Sequence, residues 1–557
     1  MDVLDLRAGR TLPPEAAAAL QRAALAAREE CNAAVDGVTD RLGGALEWLC
    51  APPASRNPNV SRLPFHCAAL ALLQELHAAG RAPARIVTDS PAMARLLQRW
   101  LAAGRPGTVV LRRRESFLAR WKRAAASALG HAAWLACVLA AARATGKRPP
   151  PPPRALVLVD TFVSRDAPLE DRYFPGLWDA LDPADRERTR FVPLVYGNGF
   201  RGYRVMFRAL RASGRFLLRE DFLSPADCLA ALLRVWRSRF LAVPRTLFRG
   251  FAIDGLIREE LRRPERYPAM TTALLQPAFT AGLRRAGFAV VKTVSWYENQ
   301  DVDRAWNRAF AAHYPGAART GYQGFVPPPL YLSLFPTAGE RRHDAVPDTL
   351  AVMGPALAAP AAMFCPGLRV VTAPAFRFAY LLGPAPEPDA AAARTVLVAL
   401  PLHAPTAEAM LALLDRAARD IPQDVVLLVK PHPAAGAPRE RPGPWRIARD
   451  KVADLLPRCA LLVSTASSVC IEALAWGIPV AVAGTDGLEL NPLPPDLEGE
   501  RWWTCRDAAA LARAITRCCA GSGPARPTRE AARRFREAYL TPVTPGGAAA
   551  LVRPDPD

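Results

Sequence analysis

The length and composition of the chain set its broad class. At 557 residues the chain exceeds what one hydrophobic core usually holds, so we expect at least two domains. A hydrophobic fraction of 51% beside 22% charged residues excludes a globally disordered chain. The formal net charge of +20 attracts polyanions, but the basic residues are spread thinly and form no recognisable nucleic-acid-binding module. We therefore predict no nucleic-acid partner.

The cysteines and the first residues indicate the compartment. Eleven cysteines are scattered along the chain without a CxxC pair or a Cys/His cluster at metal-ligand spacing, which predicts free thiols in a reducing cytoplasm. The opening MDVLDLRAGR has acidic residues and lacks the apolar core of a secretory signal. We expect a cytoplasmic protein, peripheral on the inner face of the cytoplasmic membrane if the segment described next contacts lipid.

Residues 1–148 are predicted to form an alanine-rich, mainly helical N-terminal region with one strand, ARIVTDS, followed by a helix. Within it, residues 124–142 carry no charge and are flanked by Lys122, Arg123 and Arg143. Three interpretations of this segment stay open: a packed helix of a globular domain, a helix on a membrane surface with its basic rim on acidic lipid, and a membrane-spanning helix.

Short apolar, β-branched runs that alternate with helical patterns predict two α/β domains with parallel, doubly wound sheets. The proline run KRPPPPPR at 147–154 is a natural linker. Residues 149–365 are predicted to be the remainder of an N-terminal Rossmann-like domain. Residues 366–525, starting near LRVVTAP, are predicted to be a C-terminal Rossmann-like domain, and residues 526–557 a helix and flexible tail. Ligands of such sheets bind at the carboxyl ends of the strands.

The strongest chemical signal lies in the predicted C-terminal domain. The strand VVLLVK ends in KPHP, where two prolines fix the backbone on either side of His432. The next strand ends at Ser464 and Thr465, and Ser467 and Ser468 precede a helix that should end before Gly477. Hydroxyls and free N–H groups at a helix start favour phosphate binding. We expect His432, on a neighbouring strand end, to contact the same phosphate and Glu472 to face ribose hydroxyls. The predicted phosphate and nucleotide residues are Lys430, His432, Ser464, Thr465, Ser467, Ser468 and Glu472.

Together these motifs resemble glycosyltransferases of the GT-B fold that assemble bacterial capsule and lipopolysaccharide, including sialyltransferases and Kdo (3-deoxy-octulosonate) transferases. The resemblance covers residues 425–482 and comprises KPHP, the serine pair and the EALxxGxP sequence. It implies two facing Rossmann-like domains and transfer of a sugar from a nucleotide-sugar donor, with CMP favoured, to a glycan or glycolipid acceptor. It also implies that His432, Ser467 and Ser468 hold the phosphate of the CMP-activated sugar.

A second group of residues is similar to the WxEN…GYQ arrangement of surface-carbohydrate biosynthesis proteins. Here it reads Trp296 to Gln300, followed by Gly321 to Gly324. That family commonly has a histidine after the glutamine, whereas this chain has Gly324. We take Asn299, Gln300, Tyr322 and Gln323 as acceptor-side candidates.

Glycosyl transfer with inversion needs a carboxylate that takes the proton of the acceptor hydroxyl. Glu298, at the predicted carboxyl end of a strand, is the first choice, and a structural anchor in the turn is the competing role for it. Asp160 and Asp254 are reserve bases. A CMP-sugar has a single phosphate, and no DxD sequence follows a strand in a metal-binding context, so we predict a metal-independent enzyme without a cofactor.

Three other functions stay open at this point. The KPHP and serine features also resemble CDP-glycerol-type transferases, although these typically have Asp-Tyr-Ser-Ser where this chain has Ser464-Thr465-Ala466-Ser467-Ser468. The donor can also be another NDP-sugar. The third alternative is a noncatalytic membrane-bound assembly factor for surface polysaccharide, which the missing histidine after Gln323 favours.

Overall fold

The computed structural model contains three parallel sheets and one short antiparallel hairpin. It describes residues 2–10, 12–112, 117–146, 148–151, 154–164, 169–197, 199–263, 267–383, 393–433, 435, 443–465, 467–484, 488–519 and 529–554. The prediction of an α/β chain with two doubly wound, Rossmann-like domains is confirmed, because two of the parallel sheets have six strands each.

The N-terminal unit has a three-stranded parallel sheet in the order β1-β2-β3. The predicted strand and the helix after it are confirmed as β2 and α6, and the side chain of Ser90 accepts a hydrogen bond from the Met93 amide at the start of α6. Strands β1 and β3 were not expected. The elements are β1 Val3–Asp5, α1 Pro14–Ala26, α2 Arg28–Arg41, α3 Leu46–Leu49, α4 Pro52–Ser55, α5 Leu63–Ala78, β2 Arg85–Thr88, α6 Pro91–Leu101 and β3 Thr108–Leu111.

The middle domain follows, with strand order β11-β10-β9-β8-β4-β5. Its elements are α7 Phe117–Arg143, β4 Leu156–Ser164, α8 Leu177–Ala180, α9 Pro183–Arg188, β5 Thr189–Tyr196, α10 Gly199–Ser213, α11 Pro225–Ser238, β6 Leu247–Phe248, β7 Phe251–Ala252, α12 Asp254–Leu261, α13 Tyr267–Leu274, α14 Gln276–Arg285, β8 Val290–Trp296, α15 Asp301–His313, β9 Ala318–Gln323, α16 Ala338–Arg342, β10 Thr349–Val352, α17 Ala358–Ala361 and β11 Arg369–Thr372. Within this range, β6, β7 and α12 pack against the N-terminal unit.

The C-terminal domain has the strand order β14-β13-β12-β15-β16-β17. Its elements are β12 Thr395–Ala399, α18 Ala404–Ala417, β13 Val426–Lys430, β14 Trp445–Ile447, α19 Val452–Leu455, β15 Leu461–Ser464, α20 Val469–Ala475, β16 Val480–Ala483, β17 Trp502–Cys505 and α21 Ala508–Cys519, followed by α22 Arg529–Tyr539 and α23 Pro545–Val552. A continuous cluster of buried apolar side chains joins this domain to the middle domain.

Three of the predicted domain boundaries are wrong. The strand in LRVVTAP is β11, which pairs with β10 of the middle sheet, so the middle domain extends past residue 365. The predicted flexible tail is wrong for residues 540–554, because α23 packs on β8 and α8 of the middle domain. The N-terminal region does not extend to residue 148, because α7 packs against α10, α11 and α13. Contacts distant along the chain decide all three boundaries, and an apolar run does not reveal them.

Helix α7 contains the uncharged segment of the sequence. Its stretch Lys122–Arg143 is long and apolar enough to cross a membrane by length and composition, with a mean hydropathy of 1.6. One face of the helix is buried: Leu135 and Leu139 contact one core cluster of the middle domain, and Val138 contacts another. The opposite face, with Leu129, is exposed. In this fold α7 is a packed helix with one apolar face open.

Candidate active site

Each six-stranded sheet has one place where the chain reverses its direction of strand addition. In the middle sheet, β5 is added on one side of β4 and β8 on the other. The pairing of β4 with β8 ends at Val159 and Val294, while β4 continues beside β5 to Ser164. A crevice therefore opens from Asp160 onward, and such switch points are where ligands bind in doubly wound sheets.

This crevice is part of a cavity of about 510 Å³, which we call the acidic cavity. Its walls combine carboxylates with aromatic rings, and Tyr173 stacks on Trp296 with ring centroids 4.5 Å apart. The charged or aromatic lining residues are His131, Trp134, Asp160, Phe162, Tyr173, Trp296, Glu298, Asp301 and Asp303. Flat rings beside carboxylates suit a polyhydroxylated ligand, because a ring can cover its apolar face while the oxygens bind its hydroxyls.

Burial shifts the pKa values of the titratable groups around the acidic cavity. It raises the pKa of Asp160 to about 7, although Arg219, 3.8 Å away, acts in the opposite direction. Burial likewise raises the pKa of Asp301 to about 6 and lowers that of His131 to about 4. A general base works best when its pKa lies near the working pH, and Asp160 meets that condition.

Glu298 also lines the acidic cavity, but both of its carboxylate oxygens already have donors. Trp296 Nε1 donates to Oε1 at 2.8 Å, and the Gln300 side-chain amide donates to Oε2. The backbone N–H of Glu298 donates to Asp303, which also accepts from the backbone N–H of Gln300. Donors on both oxygens hold the carboxylate in place, so the geometry favours the anchor role over the base role.

The structure does not bring Asn299 to the cavity as an acceptor contact. Asn299 is fully buried with a φ of 51°, a left-handed conformation that asparagine tolerates. Its side-chain amide donates to Glu340, and its side-chain carbonyl accepts from Arg304. It locks the turn after β8. Of the two neighbouring candidates, Gln300 lines the cavity, where it holds Glu298.

Tyr322 and Gln323 are fully buried and also have structural partners. The Tyr322 hydroxyl donates to the Pro374 carbonyl at 2.6 Å, and the Gln323 amide donates to the Leu334 carbonyl at 3.0 Å. At Gly324, where the similar family commonly has a histidine, a Cβ would lie 2.5 Å from the Tyr322 ring and 2.7 Å from the Trp296 ring. Aromatic packing therefore fills the space that the histidine would need.

Asp254 does not line the acidic cavity. It begins α12, whose contacts are with α4, α5 and α6 of the N-terminal unit, and its carboxylate is paired with Arg258 one turn later. Asp254 is therefore not placed to act on a ligand of the acidic cavity. The sequence could not show this, because the unit to which α12 belongs depends on packing over long chain distances.

The C-terminal sheet has its switch point between β12 and β15, with β13 added on one side and β15 on the other. Ser464 Oγ donates to the Ala399 carbonyl at 3.2 Å, which joins the two strand ends. A cavity of about 830 Å³ lies against this edge and against the N-terminal unit. Thr465 and Gly484 line it from the C-terminal sheet, and Gly9, from the loop after β1, lines it from the small sheet. The carboxyl edges of two sheets thus meet in one cleft.

Five arginines line this cleft, which we call the arginine cavity: Arg7, Arg10, Arg62, Arg416 and Arg506. Three of them are paired with carboxylates, at 2.5 to 2.6 Å, through Asp5, Asp89 and Glu489. The three carboxylates of Asp5, Asp89 and Glu489 offset only part of the charge of the five arginines, so an excess of positive charge remains and the cavity favours an anion. The sequence motifs did not point to these arginines, because they come from four separate segments of the chain.

The remaining predicted donor residues lie on the same edge but not at one point. Strand β12 separates β13 from β15, so the expectation that His432 and Ser467 follow neighbouring strands is wrong. With strands about 4.8 Å apart, the two strand ends are separated by about 10 Å, which is too far for one shared oxygen and short enough for one nucleotide. Lys430 Nζ donates to the Arg449 carbonyl at 3.0 Å.

Ser467 and Ser468 differ in their hydrogen bonds to the helix that follows them. Ser467 Oγ accepts from the Val469 amide at 3.3 Å, whereas the Ser468 side chain makes no hydrogen bond to the helix backbone. Further along α20, Tyr380 donates to Glu472 Oε2 at 2.5 Å. Burial raises the pKa of Glu472, and the Tyr380 hydrogen bond and the charge of Arg377 act to lower it. Glu472 is therefore tied to a tyrosine of the middle domain and is not a free ribose contact.

Two sets of contacts link the acidic cavity to the C-terminal edge. The exposed Arg377 guanidinium lies 5.4 Å from the centre of the Trp296 ring, and its charge also acts on Glu472. On the other side, the Tyr331 hydroxyl accepts from Asn59, a lining residue of the arginine cavity. Burial raises the pKa of Tyr331 and the charge of Glu298 adds to the rise. Arg377 and Tyr331 therefore lie between the regions that a donor and an acceptor would occupy.

In the part of the chain that the structure describes, no group of three or more His, Cys, Asp or Glu side chains is placed to hold a metal ion.

The sequence matches no protein-family model and no curated protein. Among solved structures it is similar to the calicheamicin glycosyltransferase CalG4, with 14% identity and a TM-score of 0.39 over 71% of this chain and 97% of that chain. The glycosyltransferase SnogD from Streptomyces nogalater has 15% identity and a TM-score of 0.37 over 72% and 99%. MurG from Acinetobacter baumannii has 10% identity and a TM-score of 0.36, also over 72% and 99%. At such values the chemistry has to be argued from the residues of the site itself.

Proposed function

We propose that the chain is a glycosyltransferase that moves a sugar, from a CMP-activated nonulosonate or Kdo-like donor, to a surface polysaccharide or glycolipid. The observation that carries the proposal is the arginine cavity, which lies where the carboxyl edges of two sheets meet. Its 830 Å³ exceeds what a free phosphate needs and suits a nucleotide-sugar. Eleven free cysteines support a reducing, cytoplasmic location.

The donor contacts follow from this placement. The arginines and the Thr465 hydroxyl supply positive charge and donors for the phosphate, and His432 and Ser467 contact other parts of the nucleotide along the same edge. In this role the arginines neutralise the phosphate charge that grows as the sugar leaves, by charge-assisted hydrogen bonds. The preference for CMP rests on the sequence resemblance, so a CDP-polyol or another NDP-sugar is the competing donor.

The acceptor side of the proposal uses the acidic cavity. Asp160, with its pKa near 7, takes the proton of an acceptor hydroxyl. The acceptor oxygen bonds to the anomeric carbon of the sugar, and the bond from that carbon to the nucleotide phosphate breaks. This single displacement inverts the anomeric configuration. Glu298 holds Trp296 and Gln300 in the cavity wall.

The proposal is tested by titrating the protein with CMP, CDP, UDP and GDP and following heat release and the unfolding midpoint. We expect Arg416→Glu to weaken nucleotide binding about tenfold or more, because a charged hydrogen-bond donor is replaced by a like charge beside the phosphate. Arg419→Glu is the matched control, since Arg419 is an exposed arginine one turn further on that does not line the cavity. Absence of binding by every nucleotide would support the noncatalytic assembly factor instead.

His432→Ala should weaken nucleotide binding and slow transfer roughly tenfold, because the nucleotide loses one of its contacts along the strand edge. The half-buried position of His432 after β13 should leave the unfolding midpoint nearly unchanged. Turnover equal to that of the unmodified enzyme would remove His432 from the mechanism and leave the arginine cavity as the site of phosphate binding.

A further inference from the structure

Helix α11 exposes an apolar face where a surface helix would ordinarily be polar. Leu229, Leu233, Trp236 and Phe240 have exposed fractions of 58%, 55%, 43% and 70%. Their spacing of four, three and four residues places them on one side of the helix and its immediate extension. The opposite side, with Cys228, Ala231 and Val235, is buried in the middle domain. The exposed side chains are therefore not needed for the fold.

Two further helices, α7 and α10, also expose apolar side chains. Helix α7 packs against α11 and against α10. It exposes Leu129 at 72%, and α10 exposes Phe200 at 41% and Val205 at 69%. We call the exposed sides of these three helices the helical face. It holds seven of the seventeen large apolar side chains that are exposed in the described part of the chain, which marks it as a contact surface.

The charge of the helical face has one sign. Helices α7, α10 and α11 together contain ten lysines and arginines and one acidic residue, Asp227. Two of the ten, Arg211 and Arg234, are part-buried and form ion pairs with Asp221 and Glu47, which lie outside these helices. Asp227 is engaged in the capping box of α11 with Ser224. By contrast, the whole chain has 72 basic and 52 acidic residues. The Arg239 guanidinium lies 4.8 Å from the centre of the Trp236 ring, so a cation and an amphipathic ring stand together at the end of α11.

We propose that the helical face docks on a lipid bilayer that contains anionic headgroups. The side chains of α11 enter the boundary between headgroups and acyl chains, and the arginines meet lipid phosphates. Apolar anchors with a basic rim are the pattern of helices that lie in a membrane interface. A protein partner would need several carboxylates to match the exposed cations, whereas an anionic bilayer offers negative charge over its whole surface. Because α7 is packed on one side, it lies along the surface and does not cross the bilayer.

The test uses the full-length protein and vesicles of phosphatidylcholine alone or mixed with phosphatidylglycerol, with the bound fraction measured by flotation. We expect binding to the mixed vesicles only, and weaker binding as salt is raised. The double variant Leu233→Glu/Phe240→Glu should reduce partitioning at least tenfold. Arg237→Gln and Arg239→Gln should each reduce it about fivefold.

The matched control is Leu247→Glu, which places the same charge on an apolar residue of similar exposure, 54%, in the hairpin that packs on the N-terminal unit. Leu247→Glu should bind vesicles like the unmodified protein. Both Leu247→Glu and the double variant should have the unfolding midpoint of the unmodified protein. Equal binding by the double variant, or no binding to anionic vesicles, overturns the proposal. So does a change from dimer to monomer in the double variant without any lipid binding, because the face would then join two copies of the chain.

Discussion

Replacing Asp160 with asparagine should reduce the rate of sugar transfer about 100- to 10,000-fold while nucleotide binding is retained, the range expected when a general base is lost. The carboxyl group lies in the crevice where β4 and β8 separate, and burial raises its pKa to about 7. In the unmodified enzyme the rate should therefore rise with pH through about 7, as Asp160 becomes deprotonated. The Asp160→Asn variant should lack this rise.

Stability separates the loss of the base from damage to the fold. A carboxyl group whose pKa is raised in the folded state favours the folded state below its ordinary pKa near 4, and this contribution is lost as the pH rises through about 7. Asparagine does not ionise, so Asp160→Asn should be at least as stable as the unmodified protein at pH 8. Asp348→Asn, which removes an exposed carboxylate of the same domain, is the control. If Glu298→Gln stops transfer and Asp160→Asn does not, the two roles are reversed.

Glu340→Gln should lower the free energy of unfolding by about 3–5 kcal/mol, because it leaves buried positive charge without a counter-ion. Glu340 Oε1 lies 2.6 Å from Arg56 and 2.9 Å from Arg304, and both arginines are fully buried. Arg304 also donates to the carbonyls of Leu49 and Ser55 in the N-terminal unit. The network therefore joins that unit to the middle domain, and urea unfolding monitored by tryptophan fluorescence should report the loss.

The pH dependence of this contribution has the opposite sign to that of Asp160. Burial acts to raise the pKa of Glu340, but Arg56 and Arg304 outweigh it and hold the pKa below its ordinary value. Glu340 thus stabilises the fold above pH 4.5, its ordinary pKa, and the contribution disappears as acid protonates it. Asp40→Asn breaks the exposed pair with Arg342 and should cost less than about 1 kcal/mol. Similar losses in the two variants would contradict the role given to the buried network.

The sequence predicted the strand and helix types where local signals are strong. The apolar run that ends near Asp160 is β4, and Ser90 before a proline marks the start of α6. The short strands β1 and β3 were missed, since three or four residues give too little periodicity. The order of strands within a sheet also depends on packing between distant segments, which is why β12 between His432 and Ser467 could not be foreseen.

In the candidate site, too, the features with a local sequence signal were predicted and those that depend on distant contacts were not. KPHP and the serine pair pointed to the carboxyl edge of the C-terminal sheet, against which the arginine cavity lies, because residues after parallel strands meet at one edge. The arginines of the cleft, the position of Arg377 over Trp296 and the raised pKa of Asp160 all arise from tertiary proximity. From its position after β8, Glu298 is a candidate for both a base and an anchor, and the two donors to its carboxylate favour the anchor.

Through α22 and α23 the chain returns from the C-terminal sheet to the middle domain, and this return restricts how the two can move. The polypeptide passes from the middle domain to the C-terminal sheet after β11 and comes back near Thr541, whose amide donates to Met353. Lys292, in the centre of the middle sheet, then donates to the Arg553 carbonyl close to the end of the chain. Two segments of the chain therefore connect the C-terminal sheet to the middle domain. Because both connections must be kept, we expect the cleft to widen by a hinge rotation of the C-terminal sheet about one axis.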